Sequence, residues 1–236
     1  MLRTRRFASM AVIASLAVAG LSACRSEPSV AAYVGDTRIT EKQVERIADE
    51  AQRARAGAGA TPIPRSEVVR LLVARPLLDQ LAARHQVTLP ANLPYDQYAK
   101  LIGLPADNEL LHLIVDNGTL QQAVSQKITG PATLSDDDLR DVYQRPEVQK
   151  ALPPGTSLEQ FRSVLSNADL KAGVQAGIGL RNELAEVAAP LHVTINPRYQ
   201  PLELVTYTFQ PSQTTNIGMV GAPLGDPAHL PVSDVS

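Results

Sequence analysis

The sequence predicts a mainly α-helical domain closed by a small β-sheet. Three observations carry that reading: a strand–turn–strand alternation over residues 31–39, helical periodicities recurring from residue 41 to residue 188, and a β-rich segment at 192–195 able to supply a third strand. With 236 residues, 44% of them hydrophobic, the chain can build one medium domain or two small ones. Aromatic residues are only 4% and tryptophan is absent, which argues against stacking platforms for sugars or single-stranded nucleic acid. A net charge of −2 offers no footprint for nucleic acid, and no such partner is expected. One cysteine excludes an intramolecular disulfide, and the four histidines have no ligand spacing.

Ahead of the domain, Arg3, Arg5 and Arg6 precede an uncharged apolar stretch from Phe7 to Ala19, followed by Leu21-Ser22-Ala23-Cys24. Charge, short apolar run and small residues read as a secretory signal. The run is too short for an ordinary membrane-spanning helix, which needs about 20 apolar residues. The tetrapeptide resembles the bacterial lipobox, which implies cleavage after Ala23 and attachment of diacylglycerol to the Cys24 thiol. An ordinary secretory signal with an unrelated cysteine is the alternative. On the lipobox reading, residues 1–23 are a signal peptide and residues 24–29 a lipidated tether. The mature chain then sits on the extracytoplasmic face of a bacterial cell membrane. Its net charge is −5, because the leader removes three arginines and no acid.

The body opens with Ala31-Ala32-Tyr33-Val34, Gly35-Asp36 and Thr37-Arg38-Ile39, a two-residue hairpin pairing Val34 with Thr37, Tyr33 with Arg38 and Ala32 with Ile39. Ala32, Val34 and Ile39 then share one face. Two short strands are not stable alone, so a third is expected. Thr40 with Gln43 forms a capping box, and Val44, Ile47, Ala48 and Ala51 recur at helical spacing up to Gly57. Ser66 is expected to cap the next helix. That helix carries two apolar stripes, one through Val69, Leu72, Val73, Pro76, Leu77 and Leu81 and one through Val68, Leu71, Leu78 and Ala82. So much apolar surface means a helix buried on most sides or one offering a groove. Pro76 should kink or interrupt it.

Further helices are expected at Tyr95–Gly103, Ala106–Val115, Leu120–Ile128, Ser135–Arg145, Leu158–Leu165 and Ala168–Ala188. Asn117-Gly118 either separates two of these or sits inside one long helix. Gly173, Gly177 and Gly179 either permit close packing or are tolerated costs. From Thr206 onward Pro, Gly, Ser, Thr and Gln accumulate with little periodicity. The domain is therefore expected at 30–205, with 206–236 a disordered tail.

The segment Tyr33 to Thr40 with Gln43-Val44 resembles the N-terminal segment of SurA-like and PrsA-like folding factors. Ser66 to Leu72, continuing through Leu77 to Ala82 and on to Gln86-Val87, is similar to that family's second helix. Ser135-Asp136-Asp137-Asp138-Leu139-Arg140-Asp141-Val142-Tyr143 resembles its acidic, tyrosine-ended helix, and Leu191 to Tyr199 its late return strand. The resemblance covers about residues 30–200 and implies a SurA N-terminal-like chaperone domain binding unfolded or exported polypeptide. Members often carry a parvulin isomerase module after the acidic helix. Here the stretch between Tyr143 and the return strand is short and reads as helix, so no isomerase activity is expected. A passive holder needs exposed apolar surface, and Val68, Leu71, Leu78 and Ala82 are the candidate client-binding surface. The competing reading is a structural or adaptor lipoprotein with one cell-envelope partner.

Catalytic and metal sites are not expected, and no cofactor is implied. Asp136-Asp137-Asp138 lacks the spacing of a calcium loop and is better explained by a helix start. His85, His112, His192 and His229 are isolated, and His85 falls at a helix end.

Overall fold

The opening hairpin forms in the register its alternation dictates. The computed structural model describes residues 29–55, 61–128, 132–212 and 214–225. Strand β1 (Val30–Val34) pairs antiparallel with β2 (Thr37–Thr40), matching Ala32 with Ile39, Tyr33 with Arg38 and Val34 with Thr37. Gly35 takes the first turn position at φ 57°, which a side chain would strain. The expected third strand, β3 (Thr194–Ile195), adds to the other edge of β1 to give the order β2-β1-β3. Asn196 locks it: its backbone N–H donates to the Ala31 carbonyl at 2.9 Å and its Nδ2 to the Val30 carbonyl at 3.0 Å.

Helix α1 (Glu41–Arg55) follows β2 directly, with Thr40 Oγ1 accepting from the Gln43 N–H at 3.1 Å. Helix α2 (Arg65–Arg84) is not capped by Ser66; the extended Pro64 is its cap residue, so Ser66 falls inside the first turn. Nor does Pro76 interrupt it. Pro76 leaves the Leu72 carbonyl without its helical donor. The adjacent Leu71 carbonyl accepts from Nδ2 of the buried Asn117 at 2.9 Å. Asn117 belongs to α4 (Glu109–Ser125), one continuous helix in which Asn117-Gly118 makes no break. Between them lies α3 (Tyr95–Ile102), ended by Gly103 at φ 75°.

Helices α5 (Asp136–Gln144) and α7 (Leu158–Val164) both open with capping boxes, Ser135 with Asp138 and Ser157 with Gln160. Between them is a helix the periodicity did not reveal, α6 (Pro146–Ala151), started by Pro146 in its first turn. Helix α8 (Ala168–Ala188) has the expected bounds, and the described chain from Asp136 to Ala188 contains no strand.

The expected tail is wrong over most of its described length. Strands β4 (Glu203–Ser212) and β5 (Thr215–Pro223) form an antiparallel hairpin, with Ile217, Met219 and Val220 buried. Gly218, Gly221, Pro211 and Pro223 hid the alternation, yet Gly221 stands where a side chain would crowd its neighbours. A Cβ on Gly221 would come 2.3 Å from the Glu203 carboxylate and 2.9 Å from the Arg145 guanidinium. Residues 226–236 lie outside the described residues.

Two buried clusters result. The larger joins the three-stranded sheet, α1, α2 and α4; the smaller joins α5, α6 and α7. Helix α8 serves both, giving Leu180, Leu184 and Val187 to the first and Leu170, Val174 and Ile178 to the second. The hairpin crosses α8 where Gly173 and Gly177 leave space: a Cβ at Gly177 would lie 2.6 Å from Tyr207 Cβ and 3.2 Å from Val220.

Gly177→Ala should cost about 1–3 kcal/mol in urea unfolding, because the obstructing atom belongs to a near-backbone position. Gly118→Ala, with open space around it, should stabilise by up to about 1 kcal/mol. Tyr199 closes the sheet end by donating from its hydroxyl to Glu41 Oε2 at 2.6 Å. Burial first, and Glu41 second, push that hydroxyl up to about 12. A raised pKa favours the neutral form in the folded state. Its contribution is therefore complete below about pH 10, the unfolded value, and is lost as pH climbs to about 12. Tyr199→Phe should lower stability by about 1 kcal/mol near neutrality and flatten that alkaline loss in unfolding titrations.

Candidate functional site

The apolar stripe expected to bind clients is core. Val68 and Leu78 are fully buried, and Leu71 and Ala82 are each only 5% exposed. The cause is the position of α2, which packs against α1, α4, α8 and the opening strands, so both of its stripes find partners within the fold. Cys24 lies outside the described residues.

Among the described residues the exposed large apolar side chains are Tyr98 and Leu101, both on α3, and Val164 on α7. Tyr95, Ala99 and Ile102, spaced four and three residues apart, turn toward the core. Tyr98 and Leu101 turn away, 40% and 81% exposed, and no residue of this helix is buried. Separately, an apolar groove of about 240 Å3 is walled by Ile63 and Pro64 before α2, by Ile102 and Leu104 around the end of α3, and by Leu110 and Ile114 of α4. Pro62 and Pro64 restrict the backbone of the lead-in. The Ile63 N–H donates to Gln52 Oε1 at 3.2 Å, fixing this wall to α1. Arg55 and Glu67 stand at the groove as well, and Glu67 is paired with Arg70.

The mount of α3 is polar and well tied. The Tyr95 hydroxyl donates to Asp116 Oδ1 at 2.7 Å, a bond that, together with burial, raises its pKa. Arg75 holds the other Asp116 oxygen at 2.9 Å. The Tyr95 ring stacks on His112 at 4.1 Å with the planes 7° apart, and His112 Nε2 donates to the Ala106 carbonyl at 2.8 Å. A short helix is thus fixed to α4 through one residue while its far face stays free. Such a surface accepts aliphatic and aromatic side chains.

The remaining candidates are occupied structurally. Asp137 pairs with Arg140 and Asp136 with Arg162. Asp138 caps α5 and pairs with Arg181; burial alone would raise its pKa, but Ser135 and Arg181 hold it below the usual carboxylate value. His85 ends α2 and meets Glu183 of α8 at 2.5 Å. No group of three potential metal ligands occurs among the described residues. A second cleft of about 390 Å3 between α5, α7 and α8 has Leu134, Leu139 and Leu165 in its lining, but the Asp136–Arg162 pair stands at it.

The signal for α3 was present in the sequence: once Tyr95, Ala99 and Ile102 make the inward stripe, Tyr98 and Leu101 have no use in a core. Leu101→Ser should therefore leave stability unchanged within about 0.5 kcal/mol, whereas Leu78→Ala should cost about 2–5 kcal/mol, both read from urea unfolding. Compared with known proteins, the chain matches no family model, no curated protein and no solved structure.

Proposed function

We propose that this chain is a lipid-anchored extracytoplasmic holdase that shields apolar segments of unfolded or exported polypeptide without catalysis. The observation that carries the reading is the α3 ridge: Leu101 and Tyr98, one turn apart and both exposed. An exposed apolar strip rimmed by polar residues is the surface a passive holder uses. The SurA-like reading is supported by the order of its motifs and by the strand pair that leads into a helix and takes a late strand as its third member. No helix among the described residues is long and apolar enough to cross a membrane, and the Cys24 lipid supplies the anchor in this reading.

The test is suppression of aggregation. Mature protein with Cys24→Ser, free of lipid, should slow aggregation of an unfolded secreted protein at stoichiometric ratio. Tyr98→Ser with Leu101→Ser should reduce that protection by at least about half while the fold is retained. A folded sample with no effect overturns the holdase reading. In cells, Cys24→Ser should release the protein from the membrane fraction.

A second reading, an adaptor for one envelope partner, is favoured by the size of the groove, whose 240 Å3 admits only a few side chains. A photo-crosslinker at Leu101 separates the two, since many captured polypeptides fit the holdase and one stoichiometric partner fits the adaptor.

A further inference from the structure

The apolar groove of about 240 Å3 lies where α1 and α3 end and α2 and α4 begin. Two helix starts and two helix ends offset one another electrostatically, so side chains set the charge there. Glu67 is the one acid in the lining. Arg70 neutralises it through two hydrogen bonds, from Nε to Oε2 at 2.9 Å and from Nη2 to Oε1. Arg55, in the last turn of α1, also lines the groove and is half-buried, and its side chain forms no ion pair among the described residues. The site therefore holds one uncommitted guanidinium over a floor of isoleucine and leucine, with no aromatic ring in the lining.

We propose that this groove captures the C-terminal residue of a polypeptide when that residue is aliphatic, its side chain entering the groove and its α-carboxylate pairing with Arg55. Pockets for drug-sized ligands begin near about 300 Å3, so the volume here suits one side chain with its terminal atoms. A guanidinium meets a carboxylate through two parallel N–H···O bonds, a geometry that a neutral amide end does not offer. An internal acid is a poorer match. In an extended segment neighbouring side chains point to opposite faces, so an aliphatic residue and an adjacent acid cannot both turn into one small groove. At a chain end the two groups share a single Cα. A strand running through the groove also finds no backbone donor on the lead-in wall. Pro62 and Pro64 have no N–H, and the Ile63 N–H between them is already bonded to Gln52. Tyr98 and Leu101 do not line the groove, so the proposal stands apart from the ridge that carries the holdase reading.

The probe is a fluorescein-labelled hexapeptide of glycine and serine that ends in leucine with a free carboxylate. It is titrated with the full chain carrying Cys24→Ser and read by fluorescence anisotropy. It should bind at least about fivefold tighter than the same peptide ending in leucine amide, and at least about fivefold tighter than one ending in serine with a free carboxylate. Arg55→Gln, checked for an unchanged urea midpoint, should abolish the first difference and keep the second, and Arg55→Lys should retain part of the first. Equal binding of acid and amide, or an advantage that survives Arg55→Gln, overturns the pairing with Arg55. Equal binding of the leucine- and serine-ended acids overturns the apolar groove. An amide peptide with aspartate before its leucine that binds as tightly as the free acid overturns the chain end in favour of an internal acid. A folded chain that binds none of these peptides overturns the site altogether, and leaves the aggregation test of the ridge untouched.

Discussion

Everything in this fold depends on how closely the hairpin can lie on α8. At Gly173 and Gly177 the helix presents bare backbone, and Tyr207 and Val220 fill the space where side chains would stand. The two buried clusters are unequal, the first holding most of the buried apolar residues and the second far fewer. Both α8 and the hairpin contribute to each: Leu204 and Ala222 enter the larger cluster, Ile217, Met219 and Val220 the smaller. Close contact along this seam makes the two clusters one cooperative unit, since loosening either element exposes apolar surface in both.

A two-stranded sheet is marginal in water and leaves unpaired edge groups. Here side chains from other elements take up backbone carbonyls of the hairpin. Gln121 of α4 donates to the Val205 carbonyl at 2.9 Å, beside the bulge at Thr206. Arg145, at the joint between α5 and α6, donates to the Gly218 carbonyl at 2.9 Å and grips both Glu203 oxygens in a fork. That carboxylate, against the cost of burial, keeps Arg145 charged. At the tip, Gln210, Pro211 and Ser212 are exposed and poorly suited to pairing with another strand.

The parts legible in the sequence were those with a local cause. Gly35-Asp36 fixed the register of the first hairpin, and the helical pattern of residues 168–188 gave the bounds of α8. The second hairpin was illegible because its glycines answer to distant partners. Gly218 and Gly221 read as breakers until Arg145 and Glu203, remote in the chain, are seen above them. The client surface failed for a related reason. Periodicity identifies an apolar face but not what covers it, and Val68, Leu71, Leu78 and Ala82 are covered by helices that start far along the chain. Leu101 is the converse, an apolar residue on a helix too short to bury all it carries.

Val30 and Gly225, near the two limits of the described chain, both meet Ile195 and its neighbours: Asn196 bonds the Val30 carbonyl, and Gly225 approaches the Ile195 side chain. A pull applied between those points loads the backbone bonds that join β1 to β3 and the bond from the Leu224 N–H to the Leu202 carbonyl. The helices stand off that load path, so tension reaching the domain through its two ends would peel the small sheet before it disturbed α3 and its groove.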